Sequence, residues 1–214
     1  MSLPVAGTIL SGGCSRRMGG QDKALLPLGG RPLLRHVVER VRPQVGDLAI
    51  SLERHAAAYE TFGLAQLPDP APGHNGPLGG LLAALSHFGP RYEWILLTPC
   101  DAPFLPPDLA VSLQRSALAA RVPCSVVRYR GELQPTFSIW HRGLLPAVEQ
   151  AVLREGLAGF KQFLRTIEAA KCDWQAPSDS LGPPPFLNIN DPGELEAAAH
   201  WLDPAREESS RCSA

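Results

Sequence analysis

The stretch VAGTILSGGCSRRMGGQDKALLPL, residues 5–28, decides how the rest of the chain is read. An apolar run of strand length, Val5 to Leu10, feeds a loop that holds Gly12, Gly13, Gly19 and Gly20, two arginines and then Lys23. Glycines let the backbone turn sharply and bring its N–H groups close to a ligand. Arg16, Arg17 and Lys23 place cations where phosphate oxygens can sit. The stretch reads as a nucleoside triphosphate loop at the end of a strand. It lacks the G-K-[ST] of a P-loop, and its glycines do not match G-x-G-x-x-G. The opposing reading, solvated surface charge, stays open, above all for Arg16.

Outward from this loop the pattern alternates. Arg31 to Val45 has apolar residues at 33, 34, 37, 38 and 41, the spacing of an amphipathic helix, with Pro32 in its first turn and Pro43 at its end. Asp47 to Leu52 is a strand, His55 to Phe62 a brief helix and Ala65 to Leu67 a third strand. Pro77 to Phe88 is a helix of small and apolar residues, and Glu93 to Thr98 a buried central strand. Alternation at this spacing predicts an α/β fold: a doubly wound, mainly parallel sheet with helices on both faces. Ligands bind such sheets beyond the carboxyl ends of the strands. The glycine loop and Pro99-Cys100-Asp101 both follow apolar runs, so both fall on that edge.

Further along, helices are expected at Pro107–Leu118, Leu144–Arg154 and Leu157–Ile167, and strands at Cys124–Tyr129, Leu133–Trp140 and Phe186–Ile189. A last helix, Pro192–Leu202, is capped by Asp191. With no internal repeat and no boundary signal, residues 1–202 are expected to form a single domain. Residues 203–214, polar and aperiodic, are expected to be a disordered tail.

The bulk numbers narrow the class. The 214 residues are 44% hydrophobic and 19% charged, as in ordinary globular proteins. A net charge of −1 gives no sign of a nucleic-acid or membrane binder, so local cations must handle an anionic substrate. Five cysteines, odd in number and without a C-x-x-C pair, argue against a disulfide framework or structural zinc. With no signal-peptide layout and no long apolar run, the expected compartment is the cytoplasm.

Asp101 follows the apolar strand and precedes Pro103. A carboxylate in such a stiffened turn can hold Mg²⁺, which takes few protein carboxylates and shares substrate phosphates. The alternative is a turn-forming aspartate. Asp69, between prolines, either fixes a turn or accepts hydrogen bonds from a base or sugar. Asn188 and Asn190 can reach a ligand or a metal-bound water, or satisfy loop backbone. Lys161 and Arg165, four apart on an expected helix, either share a phosphate-binding face or are solvated. Cys100 beside Asp101 is read as a packing residue whose thiolate is disfavoured. The six histidines show no metal-ligand spacing, and no base accompanies Ser11 or Ser15.

Taken together, these segments resemble the molybdopterin-type nucleotidyltransferases. Residues 9–34 are similar to L-A-G-G-x-S-x-R-M-G-x-x-D-K. Matches follow in QLPDP around Asp69, GPLGG (76–80), PCDAPFLPPDL (99–109), QPTFSIW (134–140) and FLNINDPGEL (186–195). The opening loop alone is shared with many sugar and alcohol nucleotidyltransferases. Its combination with PCD-x-P and N-I-N is similar to the molybdenum cofactor guanylyltransferases, the MobA family. The resemblance implies a Rossmann-like nucleotidyltransferase fold. It implies transfer of GMP from GTP to molybdenum cofactor, with Mg²⁺ or Mn²⁺, giving the guanine dinucleotide cofactor and pyrophosphate. It also implies protein partners among cofactor-biosynthesis proteins and apo-molybdoenzymes.

Carried over by position, the resemblance gives Leu10, Ser11 and Gly12 backbone contacts to the nucleotide. Lys23 would bind phosphates, Asp69 would contact the nucleotide, Asp101 would contact nucleotide and metal, and Arg17 would stabilise triphosphate charge. Two departures stand out. The family's N-x-N-R reads Ser51-Leu52-Glu53-Arg54 here, so Ser51 and Glu53 replace asparagines, and Ser11 stands where alanine is usual. Rival readings are a CTP-using cytidylyltransferase, a sugar- or alcohol-phosphate nucleotidyltransferase, and a non-catalytic protein that delivers nucleotide-bearing cofactor.

Overall fold

Apolar residues that alternate along buried strands build the centre of the molecule. In the computed structural model, which describes residues 4–11, 22–70, 76–175 and 182–202, strands β1 (Val5–Leu10), β4 (Leu48–Leu52), β5 (Ala65–Pro68) and β6 (Trp94–Pro99) are mutually parallel. β7 (Cys124–Tyr129), β8 (Glu132–His141) and β9 (Ala170–Trp174) extend the sheet beyond β6, giving the order β5-β4-β1-β6-β8-β7-β9. β8 is antiparallel to both neighbours, and β7 and β9 pair parallel. The mainly parallel, doubly wound α/β reading therefore holds.

Period-two alternation sends Ile9, Ile50, Leu96 and Ile139 to one face, where α1 (Leu33–Val41) and α3 (Leu109–Ala120) pack. Ala6, Ala49, Ile95, Leu97 and Trp140 point to the other, covered by α2 (Pro77–Phe88), α4 (Leu145–Leu153) and the one-turn α5 (Phe160–Phe163).

Several expectations are corrected. The first helix begins at Leu33, not Arg31. Pro27–Leu28 (β2) and Arg31–Pro32 (β3) pair as a hairpin turned by Gly29 and Gly30 at φ 58° and 78°. Positive φ at two consecutive positions is the geometry that favours glycine in a two-residue turn. The helix expected over 157–167 shrinks to Phe160–Phe163, so Arg165 lies in the turn after it and does not share a helical face with Lys161. Residues 186–189 form no strand: Leu187 N–H bonds back to Pro184 O, and Ile189 N–H goes to Asp101 O. β9 was not anticipated, because its inward residues alternate with the exposed Lys171 and Asp173 and leave little apolar signal. A bidentate Arg128–Asp173 pair, at 2.5 and 2.6 Å, ties it to β7.

The last helix, α6 (Pro192–Ala199), is capped as expected, with Asp191 accepting from Glu194 N–H at 2.9 Å. The segment before it is anchored by Phe186, whose ring meets Tyr129, Phe137 and Trp174 edge-on at centroid distances of 5.4, 4.9 and 5.5 Å. Emptying a buried aromatic site costs about 3 kcal/mol or more. Phe186→Ala should lower the urea midpoint of unfolding accordingly, with an unchanged m-value. The expected tail at 203–214 lies outside the described residues.

Candidate active site

Four parallel strands end in one register layer. Leu67 on β5 lies opposite Ser51 on β4, Ser51 opposite Leu10 on β1, and Leu10 opposite Pro99 on β6. The chain leaves this layer through Asp69, Ser11 and Asp101. The backbone at these exits stays tied to it: Asp69 N–H donates to Leu52 O, Ser11 N–H to Ser51 O and, just before Asp101, Cys100 N–H to Leu10 O. The strand order reverses between β1 and β6, where open α/β sheets form a crevice.

Into this crevice the chain brings residues far apart in sequence. Lys23, in a one-turn 3₁₀ helix (Lys23–Leu25), donates to Asp101 Oδ2 at 2.5 Å and to Asn190 Oδ1 at 3.0 Å. The Lys23 and Asp101 side chains are only 14% and 18% exposed, so solvent screens the pair weakly. Asn190 Nδ2 donates to Asn188 O at 3.2 Å, and the Asn190 backbone N–H to Glu194 Oε2 at 2.5 Å. Among the described residues the second Asp101 oxygen, Oδ1, is buried without a hydrogen-bond partner, and so is Asn188 Oδ1. Burying such groups unsatisfied is costly, and both are hard oxygen donors of the kind Mg²⁺ prefers. Among the described residues no three of His, Cys, Asp and Glu gather into a metal cluster.

The first turn of α2 closes the other side. A Cβ on Gly79 would meet both carboxylate oxygens of Asp69, with Oδ1 at 2.6 Å, and one on Gly80 would meet Leu10 Cδ2 at 2.6 Å and Ser51 Oγ at 2.7 Å. The Asp69 carboxylate thus packs on a helix N-terminus, where negative charge is favoured. Gly79→Ala should lose stability on balance. The overlap costs on the order of 1–3 kcal/mol, and better helix propensity returns at most about 1 kcal/mol. Chemical denaturation measures the difference.

Burial pushes the Cys100 thiol up to about 12, and the Asp101 charge adds to the effect. This agrees with its reading as a packing residue, although burial outweighs the neighbouring carboxylate. Lys161 and Arg165 are both exposed. Gly12, Gly13, Arg16, Arg17, Gly19 and Gly20 lie outside the described residues.

Two residues near the site escaped the sequence reading. Tyr59, 2% exposed, donates its hydroxyl to Asp22 Oδ2 at 2.8 Å and bonds Ser11 Oγ at 2.7 Å. Asp22, immediately before Lys23, could have been noticed as an acid beside the key cation. Nothing local marks Tyr59.

Residues 7–172 match the family described as MobA-like NTP transferase domain. The chain is 38% identical over 198 residues to a molybdenum cofactor guanylyltransferase of Rhizobium meliloti, covering 91% of this chain and 90% of that one. It is 35% identical to a protein of the same name from Rhodopseudomonas palustris, covering 89% and 88%. Its fold matches the crystal structure of molybdopterin-guanine dinucleotide biosynthesis protein A from Archaeoglobus fulgidus, with a TM-score of 0.72, 20% identity and coverage of 91% and 97%. A chain with these strand ends, this lysine–aspartate pair and these relatives belongs to the MobA-like NTP transferase family.

Proposed function

We propose that this protein transfers GMP from GTP to molybdenum cofactor, releasing pyrophosphate and forming the guanine dinucleotide cofactor. The observation that carries the proposal is the buried Lys23–Asp101 pair at the β1/β6 strand ends, with Asp101 Oδ1 unpartnered among the described residues. A cation and a metal-competent carboxylate at one point suit triphosphate chemistry better than simple nucleotide recognition, which favours catalysis over a delivery role. The choice of guanine is supported by the guanylyltransferase relatives.

In the proposed reaction a terminal phosphate oxygen of the cofactor attacks the α-phosphorus of GTP. A new P–O bond forms as the bond from α-phosphorus to the bridging oxygen breaks, and the electron pair leaves with pyrophosphate. The nucleophile is already anionic at neutral pH, so no general base is needed. Positioning and charge stabilisation are the tasks left to the protein. Asp101 and Asn188 would hold Mg²⁺ or Mn²⁺, which when bound neutralises triphosphate charge. Lys23 and Arg17 stabilise the departing pyrophosphate, with Asn190 orienting Lys23. Backbone groups of Leu10, Ser11 and Gly12 contact the nucleotide, and Ser51 and Asp69 border its base and sugar. Cofactor-biosynthesis proteins and apo-molybdoenzymes are the partners that would supply the acceptor and take the product. The odd cysteine count and the lack, among the described residues, of any helix long and apolar enough to cross a membrane support a cytoplasmic setting.

Melting shifts test the base assignment. With Mg²⁺ present, GTP at 100 times its dissociation constant should stabilise the protein by about 2.7 kcal/mol, a rise of roughly 5–10 °C for a chain of this size. CTP and ATP should do markedly less. A larger shift with CTP would instead mark a cytidylyltransferase.

A further inference from the structure

The hydroxyl of Tyr59 bridges residues that approach the site from two directions. Ser11 follows β1, Asp22 precedes Lys23, and both side chains bond the same phenol, at 2.7 and 2.8 Å. The hydrogen-bond directions are fixed by chemistry. A carboxylate only accepts, so the single phenol proton goes to Asp22, and Ser11 Oγ must donate its own proton to the phenol oxygen. The other Asp22 oxygen, Oδ1, accepts from Ala24 N–H at 3.1 Å and so caps the one-turn helix that carries Lys23. Burial holds the phenol well above its usual range, so it remains a donor throughout the working range of pH.

We infer that Tyr59 is a positioning residue for Lys23: its hydroxyl locks Asp22, Asp22 holds the short helix, and the helix aims the Lys23 ammonium at the reacting phosphates. Lys23 meets Asp101 and Asn190 through a flexible four-carbon stem. Its aim therefore depends on where the backbone of residues 23–25 is held. Tyr59 is suited to hold it, because its ring is fixed in the core beside Phe62, at 6.0 Å between centroids, and only its hydroxyl reaches the site.

The inference rests on the proposed role of Lys23, and its test separates the two. Tyr59→Phe keeps the ring and removes only the hydroxyl. It should lower kcat for pyrophosphate release about 10-fold, a modest share of what misplacement of a catalytic group can cost. In a Lys23→Met background the same substitution should change the rate less than about twofold, because the residue it positions is gone. Amine acylation mapped by mass spectrometry gives a readout that needs no catalysis. Lys23 should label several-fold faster in Tyr59→Phe, with Lys161 and Lys171 unchanged. Wild-type kcat and labelling in Tyr59→Phe would overturn the inference. So would an equal rate loss in both backgrounds, or faster labelling of all three lysines, which would mark general loosening. If the native protein released no pyrophosphate, the proposed reaction would fail, while the labelling comparison would still decide the role of Tyr59.

Discussion

Asp101→Asn is expected to lower pyrophosphate release about 10³-fold, the upper end of what one charge-stabilising contact is worth in a water-poor site. The substitution preserves shape but removes two things together. The buried Oδ1, without a partner among the described residues and proposed to face the metal, loses its negative charge. Lys23 also loses its counter-charge at 2.5 Å. Because the ion pair is mostly shielded from water, the variant should also unfold at lower denaturant concentration, so rates belong alongside a circular dichroism check of the fold. Mn²⁺ affinity, followed by electron paramagnetic resonance, should fall with the rate. Near-native turnover would remove Asp101 from the chemistry.

Lys23→Met should cost about 10²-fold in the same assay, the expected worth of one ammonium on a departing pyrophosphate. The two variants should part ways in metal binding. Removing Asp101 takes away a ligand. Removing Lys23 takes away a cation that competes for that ligand, so Lys23→Met should bind Mn²⁺ alone more tightly than the native protein does. Equal losses of Mn²⁺ affinity in both variants would mean that the lysine helps to build the metal site and does not compete for it.

The part of the fold that bears the candidate site was legible because its signals are local and strong. VAGTIL, LAISL and EWILLT are apolar runs of strand length separated by helical patterns. The bounds of α2 and β7 match their sequence readings, Pro77–Phe88 and Cys124–Tyr129. The second half was harder to read. Nothing in residues 132–141 states that β8 runs against its neighbours, since strand direction depends on what it pairs with. Residues 186–189 look like a strand because Phe186 and Ile189 are buried, but they are buried by rings and by the small cluster around Leu28 and Phe104, not by a ladder.

The candidate site divides in the same way. Lys23 and Asp101 could be named from residue chemistry and strand-end logic, and the structure joins them directly. Asn190 was singled out with its alternatives open, and its bond to Lys23 links it to the pair. Tyr59 stayed hidden because its partners are 37 and 48 residues away and its own surroundings look like ordinary core. Asp69 was weighed as turn-former or ligand contact. Its packing on the first turn of α2 shows a structural task.

The most direct test of the central claim follows the α-phosphate. Purified protein, molybdenum cofactor, Mg²⁺ and GTP radiolabelled at the α-phosphate should yield label in a guanine dinucleotide product, with one pyrophosphate released for each product formed and little transfer from CTP. Tight GTP binding with the label remaining in GTP and no pyrophosphate formed would contradict the account.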